Sequence, residues 1–413
     1  MTNKSNPRLF LDIHVVQTVP PANINRDDTG SPKTAQYGGV TRARVSSQCW
    51  KGAIRKYFRD NGDIYVGIRS KYILDIILEC IANKIREKDN SIDDDSAKKL
   101  AEGKKELVVK ALTIANILKE KDKKDKKAKK GKKAQEAQEA QEAQAAQDDK
   151  KLEALFLVTY KQLDNFAQAC LDTNLDEKNL DKKEKSRIKE KLQNILKSDP
   201  TIDIALFGRM LAHDPSLNVD ASAQVAHAIS THAVESEFDF YTAVDDWAPK
   251  DNAGASMLGT IEYNAATLYR YANVALHEFY KQLKNDKEET AKAVKLFVKA
   301  FVNSMPTGKI NSFANQTLPQ AIIVSLRTDR PINLVSAFEE PVKSENGYVD
   351  KSIQKLFEEY TRCEKILEQP LFTDYLLLTD KLEVAPIGKS TTNLSELLSD
   401  LEKAITANFT DGD

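Results

Sequence analysis

The order of apolar and polar runs predicts an α+β fold, built on the split β-α-β arrangement of a ferredoxin-like domain and interrupted by a helical insertion and a hairpin. Three observations carry this. The first is Leu9-Phe10-Leu11-Asp12-Ile13-His14-Val15-Val16, a short, mostly apolar run that reads as a buried strand. The second is a basic strand that runs into a basic helix over Gly38–Arg59. The third is an amphipathic helix over 287–304 followed by a compact strand from Ala321 to Leu326.

Taken in order, the first strand leads into a loop rich in turn formers, Pro20 to Lys33. In the strand that follows, Arg42 and Arg44 share one face while Ala43 and Val45 share the other. Ser46 or Ser47 suits the N-cap of the next helix, where Trp50, Ala53, Ile54 and Tyr57 form an apolar face. From 64 to 200 the pattern becomes helical, with segments near 68–88, 96–119, 151–171 and 181–197. Within it, 119–150 carries eleven lysines and Ala-Gln-Glu repeats, which cannot bury a core and suit a solvated loop. Ile202–Met210 reads as a strand that returns to the main sheet. Glu237–Val244 and Met257–Tyr263 read as two arms of a hairpin, Tyr269 to Val274 as a continuing strand, and 348–368 and 393–407 as closing helices. Without the insertion and the hairpin, six core elements remain in the order strand, helix, strand, strand, helix, strand. RNA-recognition domains share that order and present a sheet to single-stranded RNA.

The chain of 413 residues is long enough for more than one domain, and 41% hydrophobic residues indicate that most of it folds. Its net charge of -1 does not mark a general polyanion binder. Charge is nonetheless concentrated: residues 1–70 hold eleven Lys and Arg against five Asp and Glu. The four cysteines are scattered without a C-x-x-C pair, so neither zinc nor a disulfide framework is expected, and a reducing cytoplasm fits. No secretory leader and no membrane span are expected.

The basic strand-helix junction is the strongest candidate site. Lys51 stands in the first helical turn, where the helix dipole favours an acid, and Lys51, Arg55 and Arg59 follow at four-residue spacing. Arginines on a strand, free amides at a helix start and a first-turn lysine together form an anion site; the competing reading is an ordinary solvated face. Other motifs are weaker. Pro306-Thr307-Gly308-Lys309 lacks the first glycine of a nucleotide-binding loop, because Asn303 stands there, although Lys309 remains available to a phosphate. His227 and His232 are five apart and read as structural or surface residues. Asp27-Asp28 and Asp245-Asp246 read as caps or solvated charges rather than metal ligands. No catalytic triad is present, so binding outranks catalysis, and neither metal nor cofactor is expected.

Two blocks of sequence resemble a known family. The first runs Asn25-Arg26-Asp27-Asp28, Gly38-Gly39 and Arg42-x-Arg44-Val45-Ser46-Ser47-Gln48, with Lys51 and Arg55. The second runs Asp203 to Met210, Thr231-His232, Phe240 to Asp246, Leu258-Gly259-Thr260 and Tyr269 to Asn273. Together they resemble the CasC family, the backbone subunits of the type I-E CRISPR surveillance complex, Cascade. The resemblance covers about 1–60 and 200–345 well, the C-terminus loosely and 64–200 poorly.

It implies an RNA-recognition-like palm, helical fingers and a hairpin thumb. The matching divisions are palm at 1–63, 201–216 and 263–413, fingers at 64–200 and thumb at 217–262. It implies several copies along one CRISPR RNA, with other Cascade subunits as partners, target DNA met through the guide and a separate, recruited nuclease. Arg26, Lys33, Arg42, Arg44, Ser46, Gln48, Lys51 and Arg55 would hold the guide backbone, with Lys309 added from the loop. Met210, Phe240, Tyr241, Thr242 and Leu258 would wedge at a displaced base. Phe240-Tyr241 stands where the family usually has Trp-Phe. Such a subunit would not be an enzyme. The alternatives are a metal-dependent ribonuclease that uses Asp27 or Asp28 and a stand-alone RNA chaperone.

Overall fold

The computed structural model describes residues 8–61, 66–118, 152, 155–173, 181–211, 214–243, 257–379 and 382–409. The lysine-rich stretch 119–150, residues 244–256 with Asp245-Asp246, and His213 lie outside them. The chain divides into two compact units, Met1–Ile64 with Ser222–Asp413, and Tyr65–Ala221.

The first unit is built on a mostly antiparallel sheet. Its strands are β1 (Phe10–Ala22), β2 (Thr34–Tyr37), β3 (Val40–Val45), β6 (Ala223–Val225), β7 (Ala228–Ser230), β8 (Glu237–Ala243), β9 (Met257–Ala275), β10 (Pro319–Arg327), β11 (Phe372–Leu377) and β12 (Lys389–Ser390). They run in the order β12-β11-β10-β1-β9-β7-β3-β2, and β6 and β8 also pair with β9. β1 lies between β10 and β9, antiparallel to both, and β9 is antiparallel to β7. β1 is therefore parallel to β7 with β9 inserted between them, and β9 is parallel to β10 with β1 inserted. The helices α1 (Ser47–Asn61) and α9 (Lys287–Asn303) lie on the two crossovers and pack on each other. These are two interlocked split β-α-β units.

Alternation decides what each sheet face buries. Leu11, Ile13 and Val15 share a face with Arg270, which pairs directly with Val15 across the β1–β9 register. On this side the Arg270 guanidinium lies 3.7 Å over Trp50 of α1 and 4.5 Å over Phe301 of α9. It donates to Gln17 Oε1 and to the Phe301 carbonyl, and burial lowers its pKa to about 9. The opposite face carries Asp12, His14 and Val16 with Tyr269 and Tyr271. It is covered by a short 3₁₀ turn, Leu334–Phe338, and by helix α11 (Val349–Cys363), whose Ile353, Leu356, Phe357 and Tyr360 join the same core. The open sheet face expected of an RNA-recognition domain is therefore closed, and Tyr269 and Tyr271 are core residues. On the helical side, α9 packs against α8 (Leu276–Gln282) and α12 (Leu394–Asn408). A single helical turn, α10 (Ile310–Phe313), precedes β10.

Two glycines make the β2–β3 turn. Gly38 and Gly39 take φ of 60° and 76°, which β-carbon-bearing residues seldom adopt. β9 has 19 residues and changes partner along its length. Residues 257–263 pair with β8 as the hairpin, and from Asn264 onward the strand pairs with β1.

The second unit is mainly helical, with α2 (Ile73–Lys88), α3 (Asp94–Glu102), α4 (Lys105–Ile114), α5 (Tyr160–Asp172), α6 (Lys182–Lys197) and α7 (Ile202–Phe207). A two-stranded ribbon pairs β4 (Ile68–Ser70) with β5 (Phe156–Val158). Ile77, Ile81, Val108, Leu112, Leu163 and Phe166 lie in its core. Two expectations are corrected. The helix expected from 151 begins at Tyr160, behind a capping box of Thr159 and Gln162, and Phe156–Val158 is a strand. The strand expected over Ile202–Met210 is a helix to Phe207 and belongs to this unit. Ile202, Asp203, Ile204, Ala205 and Leu206 are all buried, so apolar residues on every side leave no face from which to read the period. Among the described residues, no helix is long and apolar enough to cross a membrane.

Candidate nucleic-acid interface

The loop after β1 is folded on itself. Asp27 N–H meets the Ser31 carbonyl at 2.9 Å and Lys33 N–H meets the Asn25 carbonyl at 2.9 Å. Asn23 Nδ2 donates to the carbonyls of Gly30 and Glu262, and Asn25 Oδ1 accepts the Ser46 N–H at 2.8 Å. The last of these bonds ties the loop to the start of α1. Ser46 is the cap: its Oγ accepts the Cys49 N–H at 3.3 Å.

α1 presents three sides. Trp50, Ile54 and Phe58 are buried. Lys51 and Arg55 are half-buried on one flank, and burial lowers the Lys51 pKa. Cys49, Gly52, Ala53 and Lys56 face an open groove of about 490 Å³, closed on its other sides by Ile24–Asp27 and Met305–Gly308. Gly308 sits so close that a β-carbon there would lie 2.4 Å from the Ile24 carbonyl oxygen, so only glycine lets the 305–308 segment close the groove. Lys309 follows in left-handed backbone at φ 51°.

The expected phosphate-holding residues divide as follows. Arg26 is exposed and lines the groove. Lys33 and Arg44 lie side by side, with Arg44 N–H on the Lys33 carbonyl at 2.9 Å. Gln48 is exposed at the helix start, Ser46 is buried in its capping role, and Lys309 follows Gly308 in the chain without lining the groove. Arg42 is a correction. It is wholly buried, and its guanidinium donates to the carbonyls of Tyr37 at 3.1 Å, Ser230 at 3.0 Å, Phe338 at 2.8 Å and Glu339 at 3.4 Å. A strand with both faces covered buries Arg42 as well as Ala43, so it braces the sheet and does not meet a phosphate. Gly52 and Lys56, about two and three helical turns beyond Ser46, were missed in the sequence reading. The signal was there in the small, unbranched run Gly52-Ala53 beside a lysine, which lets a ligand approach the backbone.

Asp27 is held by its own loop. Its Oδ1 accepts the Thr29 hydroxyl at 2.7 Å, Thr29 N–H at 2.9 Å and Ser31 N–H at 3.1 Å, and these bonds keep its pKa below the ordinary carboxylate range. Among the described residues no three His, Cys, Asp or Glu side chains are grouped as metal ligands.

In the β8–β9 hairpin, Phe240 pairs with Thr260 and Thr242 with Leu258, which puts all four on one face. Phe240 and Leu258 are each 62% exposed there. Tyr241 pairs with Gly259 on the other face, and its ring lies over that glycine, where a β-carbon would come within 2.3 Å of it. Met210 is 84% exposed and belongs to the helical unit.

A family model described as CT1975-like protein matches residues 11–404. The chain belongs to the CT1975-like protein family. Among solved structures, a chain of a pre-nicking CRISPR RNA-guided surveillance complex is 30% identical, with a TM-score of 0.73, over 96% of this chain and 100% of that one. A chain of another CRISPR RNA-guided surveillance complex is 26% identical, with a TM-score of 0.57, over 96% of this chain and 99% of that one. No curated protein matches the chain. In this member of the CT1975-like family the groove lies between the loop after β1, α1 and the 305–308 segment, and its charged lining residues are Arg26, Asp27 and Lys56.

Proposed function

We propose that this chain is a non-catalytic, CRISPR RNA-binding backbone subunit of a surveillance complex of the type I-E Cascade class. The observation that carries the reading is the groove lined by Arg26 and Lys56, with Asp27 tied up by its own loop, in a chain alike over nearly its whole length to chains of RNA-guided complexes. A guide whose sequence varies has to be held by its phosphates and shape. Cations, a capped helix start and backbone brought close by Gly52 and Gly308 meet that need. The exposed Phe240 and Leu258 face of the hairpin offers an apolar surface on which any base can stack. Repetition along one RNA turns modest contacts into high avidity. The partners on this reading are guide RNA, further copies of the chain, other complex subunits, target DNA met through the guide and a separate nuclease.

The test is Arg26→Glu with Lys56→Glu, measured as affinity for unrelated single-stranded RNAs across a salt series. The expected result is an equal loss for every sequence and a shallower salt dependence, by about 0.7 in log-log slope per phosphate contact removed. A loss confined to some sequences, or none, refutes the reading. Non-catalysis is tested by incubating the assembled complex with complementary RNA and Mg²⁺; regular cleavage that disappears in Asp27→Ala would overturn it.

A further inference from the structure

His227 lies between β6 and β7 and reads from sequence as a structural or surface residue. In the fold it meets Arg44 of β3, with Arg44 Nη1 and His227 Nδ1 3.2 Å apart. Arginine can only donate, so Nδ1 accepts and the neutral ring carries its proton on Nε2. Arg44 is held from a second side, since its Nε donates to the Thr34 carbonyl at 3.0 Å. Its Nη2 makes no hydrogen bond among the described residues.

The charged groups that act on the ring are Arg44 on β3 and Lys33 just before β2, both cations. Burial, then these two charges, holds the imidazole below its ordinary pKa. Three nitrogen bases from separate segments thus converge at an exposed place with no carboxylate among them.

We propose that His227, Arg44 and Lys33 form a proton-coupled phosphate grip. In the neutral state His227 orients the Arg44 fork. When a phosphate arrives, its charge removes the penalty on protonating the ring, and imidazolium and guanidinium then both donate to it. Binding takes up a proton at His227, and by reciprocity acid strengthens binding. The natural ligand as guide RNA rests on the function proposed above; the grip itself requires only a phosphate-bearing anion.

The experiment follows the His227 ring C–H resonance by NMR, assigned by its absence in His227→Gln, through a pH titration with and without inorganic pyrophosphate. An upward shift of the midpoint by about one unit on adding pyrophosphate is expected. An unmoved midpoint overturns the proposal. RNA affinity is then measured against pH at fixed salt in wild type and His227→Gln. Wild type should gain up to about tenfold per pH unit on acidification through the titration range, and the variant should not. Equal pH slopes in the two proteins overturn the coupling. A midpoint that moves with pyrophosphate in a protein that binds no RNA at any pH supports the grip and refutes the RNA reading alone.

Discussion

Replacing Arg42 separates a brace from a ligand contact. Arg42→Met keeps much of the side-chain volume while removing every donor. The carbonyls of Ser230 and Phe338, which it meets at 3.0 and 2.8 Å in buried surroundings, then lose their partner. A buried acceptor left unsatisfied costs about 1–3 kcal/mol, so two of them cost about 2–6 kcal/mol. Relief from burying a charge offsets part of this, which places the expected loss near about 3 kcal/mol. In a unit of this size that is roughly a 6–12 °C fall in Tm, followed by circular dichroism. Below that Tm, the folded variant should bind single-stranded RNA much as wild type does. A variant with native Tm and a selective loss of RNA affinity would show that Arg42 reaches a phosphate and that the four carbonyls do not hold it.

Other perturbations follow from the same geometry. Phe240→Ala removes an exposed ring, so stability should change by no more than about 0.5 kcal/mol, whereas RNA binding should weaken by about 1–3 kcal/mol if a base stacks there; unfolding and filter-binding measurements together check this. Gly308→Val drives a side chain into the Ile24 carbonyl and should open the groove, lowering RNA affinity with about 1–3 kcal/mol lost in urea unfolding. Burial, with a smaller push from the Arg327 charge, lowers the His14 pKa from 6.5 to about 3. The folded pKa is depressed, so the neutral ring's contribution is fully present above about pH 6.5 and is lost as pH falls toward about 3. The stability of wild type relative to His14→Gln should therefore decline by up to about 1.4 kcal/mol per pH unit below 6.5, and a constant difference would refute the buried, neutral histidine.

Much of the sheet unit could be read from the chain. The first strand is a nearly unbroken apolar run buried on both faces, and the helix over 287–303 buries one clear face, so both patterns show. Ile202–Phe207 was misread because burial on all sides erases the difference between a period of two and one of 3.6. Arg42 was misread because charge is a poor guide to exposure when backbone carbonyls supply the partners. The groove-facing side of α1 was missed because three of its four members, Cys49, Gly52 and Ala53, carry no charge, and the small Gly52-Ala53 run beside Lys56 gains its meaning only from contact with the 24–27 and 305–308 segments.

The covered sheet face has a consequence for how RNA can be held. In an RNA-recognition domain the aromatic rings of the sheet are the platform for bases. Here Tyr269, Tyr271 and His14 form a buried stack, with His14 and Tyr271 centroids 5.2 Å apart and Tyr269 hydroxyl 2.9 Å from His14 Nδ1. Tyr271 hydroxyl reaches Asp12 at 2.6 Å, and Leu334 N–H, from the covering turn, reaches the Tyr269 hydroxyl at 3.0 Å. Stripping this cover to admit bases would expose a hydrophobic core and break each of these bonds, at a cost far above the about 1–3 kcal/mol a stacked base returns. On the proposed function, the two tasks that a sheet platform combines are divided in this chain: phosphates would fall to the groove of the first loop and α1, and apolar contact with bases to the exposed face of the hairpin. Because β9 is one continuous strand from the hairpin to its pairing with β1, the hairpin's base is fixed in register with the strand that carries the first loop. A groove mutation and a hairpin mutation should accordingly act on separable quantities, the first on overall affinity and its salt dependence, the second on the spacing of displaced bases.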